Sequence, residues 1–318
     1  MAIPFFWCKI TNFGDALNPI IFSKLANLKI KFSPIDSAMV IGIGSLMETL
    51  LVDTKTVNYN KKYIRIFSSG MGFAEGEFFH NPDIILPEKL KRTVKCYALR
   101  GKLTDARIAK MLGSPTGAVL GDAGLLASYL IDSDKIAKKY ELGIVPHFAD
   151  KDNPIFREIL ERIPNSQILN PTLPVDCFLR DLCECKVVIS TAMHPLIACD
   201  ALRIPNQWIR VCENTTSRYK FYDYYSVFDK HKEPLDLSNH TFDRNDLIEI
   251  IKNYDIGDAE VKVIQANLLN ALALLSKDLN RCKGKLFLLQ LIKLILLPFS
   301  YLIPIKKYRK KLRTYLKY

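Results

Sequence analysis

The chain has 318 residues, 49% of them apolar, which is enough for two domains with sizeable cores. Its formal net charge is +12, yet eleven positive charges follow Asp278, beyond which no acidic residue occurs. Residues 1–278 are therefore nearly neutral, which excludes the basic folded face expected of a nucleic-acid-binding protein.

In chain order, the pattern alternates strand and helix. The opening "MAIPFFWCKI" lacks a basic n-region and reads as a first buried strand rather than a secretory signal. "LNPIIFSKLAN" reads as a helix, with Asn18 as N-cap and Pro19 at the first helical position. "SAMVIGIGSL" and "YIRIFSSGMG" are buried strands that end in small residues and glycine. "VKCYALRG" is a further strand, followed by the helix "KLTDARIAKML". "GAVLGDAGLLASYLI" gives a short strand, a Gly-Asp turn and a helix. The polar run "DSDKIAKKYE" marks a boundary near residues 135/136.

The alternation then restarts with the strand "LGIVPHF", the helix "NPIFREILERI", the strand "SQILN", the helix "VDCFLRDLCEC" and the strand "KVVIS". "HPLIACDALRI" is the next helix, with Pro195 in its first turn, and "QWIRV" a short strand. "RNDLIEIIKN" and "AEVKVIQANLLNALALLSKDL" close the second half as helices. The eight cysteines follow no ligand spacing, so they read as reduced, buried thiols, and no metal site is expected.

Two alternating halves imply an α/β fold of two Rossmann-like parallel-sheet domains facing a central cleft. The expected division is 1–135, 136–280 and a tail of 281–318. In such sheets the ligand lies beyond the carboxyl ends of the strands, so strand-end residues carry the site. Those ends hold Gly42, Gly44 and Ser45; Ser68, Ser69, Gly70 and Gly72; Arg100 and Gly101; His147; and Ser190 and Thr191 ahead of His194. Neither GxGxxG nor GxxxxGK[ST] occurs, which removes the main support for dinucleotide and P-loop readings.

His194 stands beside the free amide groups of a helix N-terminus, where an anion is favoured and an imidazole can donate a hydrogen bond or move a proton. The bland alternative is that it caps the helix. His147 ends an apolar strand, as a second proton-transfer candidate or as a satisfied core residue. Arg100 needs an anionic partner, either a substrate or a protein carboxylate such as Asp122. Asp15 in "NFGD" serves the site or caps the following helix.

"TNFGDALNPIIFSKL", "IGIGSL", "ALRGKLT", "LGDAGLL", "GIVPHFAD" and "VVISTAMHPLIACDALRIPN" stand in the order seen in the polysaccharide pyruvyl transferase family, and the chain resembles that family over residues 9–229. The exopolysaccharide subgroup is the most similar. Two positions depart from its pattern: Ala192 stands where many members have an arginine, and Pro195 where glycine is frequent. The resemblance implies a glycosyltransferase-B-like fold, phosphoenolpyruvate as donor and a sugar diol as acceptor. The product is a pyruvate ketal on a cell-surface glycan or its lipid-linked oligosaccharide precursor.

No cofactor is implied beyond that co-substrate. With Ala192 in place of arginine, donor binding is expected to rest on Arg100, Lys102, Arg203 and Lys220, with Ser190 and Thr191 beside His194. Asn12, Gly14, Asp15, Gly44 and Ser45 suit the acceptor. His194 and His147 are the catalytic candidates. The competing readings are a nucleotide-sugar glycosyltransferase, with Asp200 or Glu213 on the ribose, and an idle scaffold homologue.

"LFLLQLIKLILLPFSYLIPI" (286–305) is long enough for a span, but Lys293, Pro298 and Pro304 interrupt it and basic residues flank both sides. The expectation is an amphipathic basic helix on the anionic inner face of the cytoplasmic membrane, holding a cytoplasmic enzyme there as a peripheral protein.

Overall fold

A computed structural model describes residues 2–9, 12–52, 63–73, 93–212 and 217–299. It divides the chain into one compact unit, Ala2–Leu272, and a second over Ala273–Tyr318. The α/β class holds, with two wholly parallel sheets inside the first unit.

The first half runs β1 (Ile3–Phe6), α1 (Phe13–Ala26), β2 (Ile30–Phe32), β3 (Val40–Ile41), α2 (Met47–Val52), β4 (Tyr63–Ser69), β5 (Thr93–Leu99), α3 (Lys102–Leu112) and β6 (Val119–Leu120), then a 3-10 segment at Ala123–Leu130. The second half runs β7 (Tyr140–Val145), α4 (Ile155–Arg162), β8 (Ser166–Ile168), α5 (Val175–Cys183), β9 (Cys185–Ser190), α6 (Met193–Ala201), β10 (Asn206–Arg210), α7 (Tyr219–Tyr225), β11 (Leu235–Asp236) and α8 (Arg244–Asn253). The helix α9 (Asp258–Phe299) follows.

Strand order in the first sheet is β2-β1-β3-β4-β5-β6, and in the second β11-β10-β9-β7-β8. Read from β8, the second sheet repeats the order of the first. Each sheet therefore reverses direction once, between β1 and β3 and between β7 and β9. Ligands of doubly wound sheets bind at such switch points, outside the carboxyl ends of the strands.

Fully buried strands read as continuous apolar runs because helices cover both faces. Ile41, Ile64, Ile66, Leu99 and Ile108 form one core, and Leu142, Ile144, Phe156, Val187, Ile189 and Ile209 another. Each such side chain contributes roughly 1.5–3 kcal/mol on burial.

The start of α1 differs from expectation, whereas α6 carries Pro195 in its first turn as expected. α1 begins at Phe13 with Asn12 as its cap, so Asn18 and Pro19 lie inside it. Pro19 has no N–H for the Asp15 carbonyl one turn earlier, and Asn18 Nδ2 donates there instead, at 3.3 Å. The same amide donates to Ile43 O at 3.1 Å and accepts from Ile43 N at 2.8 Å, tying α1 to the end of β3. α6 begins at Met193, which places His194 and Pro195 at its second and third positions.

α9 runs unbroken from Asp258 to Phe299, so no change of secondary structure marks 280/281. No helix among the described residues is long and apolar enough to cross a membrane. The basic run "KKYRKKLR" lies outside the described residues.

Candidate functional site

At the first switch point, Asn12 Oδ1 accepts the Asp15 N–H at 3.0 Å, and Asn12 Nδ2 donates to the Asp15 carboxylate. Burial pushes the Asp15 carboxyl up to about 6, against the lowering effect of that Asn12 bond. From β3, Gly44 adopts a φ of +129°, and its carbonyl accepts from Gly70 N at 2.9 Å and Ser69 Oγ at 3.1 Å. Ser45 follows, exposed, with its hydroxyl accepting from Arg100 Nη1 at 2.9 Å.

At the second switch point the carboxyl ends of β7 and β9 are joined by side chains. His147 N–H donates to Thr191 Oγ1 at 2.7 Å. The His147 Nδ1 accepts the Ala149 N–H at 3.3 Å, so the neutral ring carries its proton on Nε2. Burial, with the nearby Lys220 charge, holds this imidazole down at about 4 against the pull of Asp150. Ser190 Oγ accepts the Ala192 N–H at 2.9 Å and lies 2.7 Å from Val145 O. Its hydroxyl is thus spent inside the β9–α6 turn rather than on a donor ligand.

The two switch points meet at His194. A Cβ on Gly14 would fall 2.1 Å from His194 Nδ1, so only a glycine on α1 admits the imidazole. His194 Nε2 lies 3.9 Å from Asp122 Oδ2, and both atoms are buried without a hydrogen-bond partner. Burial lowers the His194 pKa to about 3, helped by the charges of Arg100 and Lys220, so the ring is neutral at pH 7. Burial raises Asp122 to about 6; the Gly124 N–H and Arg100 oppose this and Asp223 adds to it.

Lys220, on the first turn of α7, is the cation of this region. Burial and the Arg100 charge lower its pKa to about 8, while Asp150 opposes. Asp150 is itself buried, and its Oδ2 has no partner. The first turn of α6 adds main-chain donors. Ala192 N–H is taken by Ser190 and Pro195 has none, which leaves the Met193 and His194 amides at the head of the helix.

Arg100 does not clamp a ligand in this arrangement. It is fully buried, and its Nε donates to Asp223 Oδ2 at 2.9 Å, with further bonds to Ser45 Oγ and Met71 O. Of the two kinds of partner its burial required, it has a protein carboxylate, and that carboxylate is Asp223 rather than Asp122. Lys102 pairs with Asp229 on an exposed face. Arg203 pairs with Asp134 and Asp258, also exposed. Neither is among the charges that act on the two imidazoles: Lys102 opens α3 and Arg203 lies just past the end of α6, and each turns to an exposed carboxylate.

Asp200 is buried and cannot hold a ribose. Its carboxylate accepts from Asn206 Nδ2 at 2.7 Å, Tyr224 OH at 2.7 Å and Tyr254 OH at 2.9 Å. Glu213 lies outside the described residues. Cys183 and Cys185 are buried thiols pushed up to about 11 and 12 by burial, so they are protonated at neutral pH. Among the described residues no group of three or more His, Cys, Asp or Glu side chains is arranged to hold a metal ion.

Three acidic residues escaped the sequence reading: Asp150, Asp223 and Glu48. The Glu48 Oε1 accepts the Phe73 N–H at 3.1 Å and the Gly72 N–H, and its Oε2 is buried without a partner. Asp223 sits in "YKFYDYY", an aromatic run without helical amphipathicity, and α7 was not foreseen there.

No family model matches the chain. It is 25% identical over 252 residues to an uncharacterized protein of Acanthamoeba polyphaga mimivirus, a match spanning 76% of this chain and 80% of the viral protein. It is also similar to the crystal structure of a functionally uncharacterized protein from Klebsiella pneumoniae, at 16% identity and a TM-score of 0.42, over 74% of this chain and 93% of the other.

Proposed function

We propose that the chain is a pyruvyl transferase that takes phosphoenolpyruvate as donor and a sugar diol as acceptor and makes a pyruvate ketal. The observation that carries the reading is the second switch point itself. The head of α6 leaves two amides over, Lys220 supplies a half-buried cation whose charge acts on two neutral imidazoles, His147 and His194, and the second of these lies directly over Gly14 of the first half. That combination suits a small phosphate- or carboxylate-bearing molecule. The resemblance to pyruvyl transferases narrows it to an enol phosphate.

The overall change balances simply. One acceptor hydroxyl gives up its proton and bonds the central carbon, and one proton reaches the methylene carbon, which becomes a methyl. The second hydroxyl bonds the same carbon as the C–O bond from that carbon to the phosphate breaks, and its proton leaves with the phosphate. Lys220 and the amides of Met193 and His194 offset the donor's negative charge. An imidazole nitrogen handles the hydroxyl proton, help worth about 10²–10⁴-fold. Asp15 and Ser45 are the first-half groups offered to the acceptor's hydroxyls.

The test pairs thermal shift with product detection. Phosphoenolpyruvate should stabilise the protein by mass action, while a panel of nucleotide sugars should not. Stabilisation by a nucleotide sugar alone would make the chain a glycosyltransferase, and no response to either would make it an idle homologue. Lys220→Met should weaken phosphoenolpyruvate binding about 10–100-fold, as expected for losing a charged hydrogen bond worth about 1.5–3 kcal/mol.

The basic, apolar C-terminal segment completes the proposal by docking the enzyme on an anionic membrane surface, near a lipid-linked acceptor. Full-length protein should sediment with anionic liposomes, and a chain ending at Leu279 should not.

A further inference from the structure

We infer that Asp122 and His194 form an acid–base dyad in which Nε2 is turned to the carboxylate and Nδ1 is the nitrogen that works on the ligand. The inference rests on the site assignment above but concerns a residue and an atom which that assignment leaves open.

Four observations converge on it. First, Nε2 of His194 is buried without a hydrogen bond, 3.9 Å from the equally unpaired Oδ2 of Asp122. That gap is typical of a catalytic hydrogen bond that tightens only when ligand binds. Second, Nδ1 makes no hydrogen bond either, yet it is absent from the buried unpaired atoms, so it is the nitrogen that retains accessible surface. Third, the ring edge that carries Nδ1 fills the space over Gly14, where a Cβ would fall 2.1 Å from that nitrogen, so the absence of a side chain at residue 14 is what lets the ring take this position.

Fourth, the chain fixes Asp122 firmly. Its Oδ1 accepts the Gly124 N–H at 2.7 Å, leaving only Oδ2 for the imidazole. The turn that carries it is pinned by Ser68, a buried non-glycine residue at φ +61° whose hydroxyl lies 3.2 Å from Gly121 O and accepts the Ala123 N–H. A left-handed conformation at such a residue is strained and persists where the surroundings impose it.

The charges around the pair are accounted for. Arg100 and Lys220 face His194, and Arg100 and Asp223 face Asp122; His147 and Asp150 adjoin Lys220. A dianionic phosphate beside Lys220 cancels the positive field that disfavours the imidazolium. An acceptor O–H bond then breaks, its proton passing to Nδ1, and the cationic ring donates its Nε2–H to Asp122. The same proton is released to the methylene carbon, which returns the ring to its starting form. Asp122 thus acts as a positioning residue for the ring's tautomer, the role a carboxylate plays behind a catalytic histidine elsewhere.

The test uses full-length protein with ¹⁵N-labelled histidine at pH 8. The expected His194 tautomer carries its proton on Nε2. Asp122→Asn, which keeps the cap on Gly124, should shift the proton to Nδ1 and lower turnover at least 100-fold, with binding of inorganic phosphate changed less than about 3-fold. A wild-type ring protonated on Nδ1 overturns the dyad, and needs no variant to fold. An unchanged tautomer in Asp122→Asn overturns it as well. If the tautomers come out as expected but no diol is pyruvylated, the dyad stands and the pyruvyl transfer reading falls.

Discussion

Asp223→Ala removes one half of a fully buried ion pair and reads out how the two halves of the compact unit are joined. Asp223 belongs to α7 of the second half, and the groups it holds belong to the first. Its Oδ2 receives Arg100 Nε at 2.9 Å and Thr104 Oγ1 at 2.6 Å, and its Oδ1 receives the Thr104 N–H at 2.8 Å. Both charged side chains are 0% exposed. Removing one partner of a buried pair costs about 3–5 kcal/mol, because the other charge stays buried and unpaired. Two orphaned Thr104 groups add about 1 kcal/mol each.

The expected loss is therefore about 5–7 kcal/mol, measured from urea unfolding midpoints. The chemistry of the loss is checked by a double-mutant cycle. Arg100→Met in the Asp223→Leu background should restore most of the stability, since apolar replacement of a buried pair is near neutral. A loss below about 1 kcal/mol for Asp223→Ala, or a coupling energy near zero with Arg100→Met, would refute the reasoning. Asp223 would then be an incidental contact rather than the joint that positions α7 and Lys220.

Gly101→Ala should disrupt the same joint, because its Cβ would fall 1.7 Å from the Asp223 carbonyl oxygen; a stability loss of about 2 kcal/mol or more is expected by calorimetry. Asn18→Ala should cost about 2–4 kcal/mol in urea unfolding, because it orphans both main-chain groups of Ile43 and leaves the Asp15 carbonyl without the donor that Pro19 lacks. The pH dependence has a definite sign at Asp200, whose carboxyl burial raises from 3.8 to about 6. The folded state binds that proton more tightly, so its stabilising contribution is present below pH 4 and fades as pH rises to 6. Between those values the stability of Asp200→Asn relative to wild type should improve by about 1.4 kcal/mol per pH unit, and a flat difference would count against it. His194 works in the opposite sense: its pKa falls from 6.5 to about 3, so stability is lost as pH drops through that window, and His194→Gln should remove that acid-side loss.

The linear sequence carried the architecture because its signals are local. Apolar runs such as "KVVIS" and "YIRIF" can only be strands covered on both faces, and their spacing leaves room for one helix between neighbours. The same logic located His147, two residues past the end of β7, and the strand-to-helix connections that lead to Asn12, Gly14 and His194. One helix start was less legible. "LNP" looked like a cap, but Asn18 turned inward to Ile43, a partner 25 residues away. "HPLIACDALRI" was legible to within one residue: Ser190 holds the Ala192 amide and α6 begins at Met193, with Pro195 in its first turn.

Charge assignment was decided by tertiary structure alone. A basic residue's role depends on which carboxylate reaches it, and those partners are remote in sequence. Arg100 met Asp223 across 123 positions and was withdrawn from solvent, while Lys102 and Arg203 found acidic partners on exposed faces. Lys220, in an aromatic run, was left as the half-buried cation whose charge acts on both His147 and His194. Periodicity fixes which residues are buried, because burial follows from neighbours one turn or one strand residue away. Which buried charges neutralise one another, and which are left for a ligand, follows from how the two sheets' carboxyl ends meet, and no local pattern encodes that.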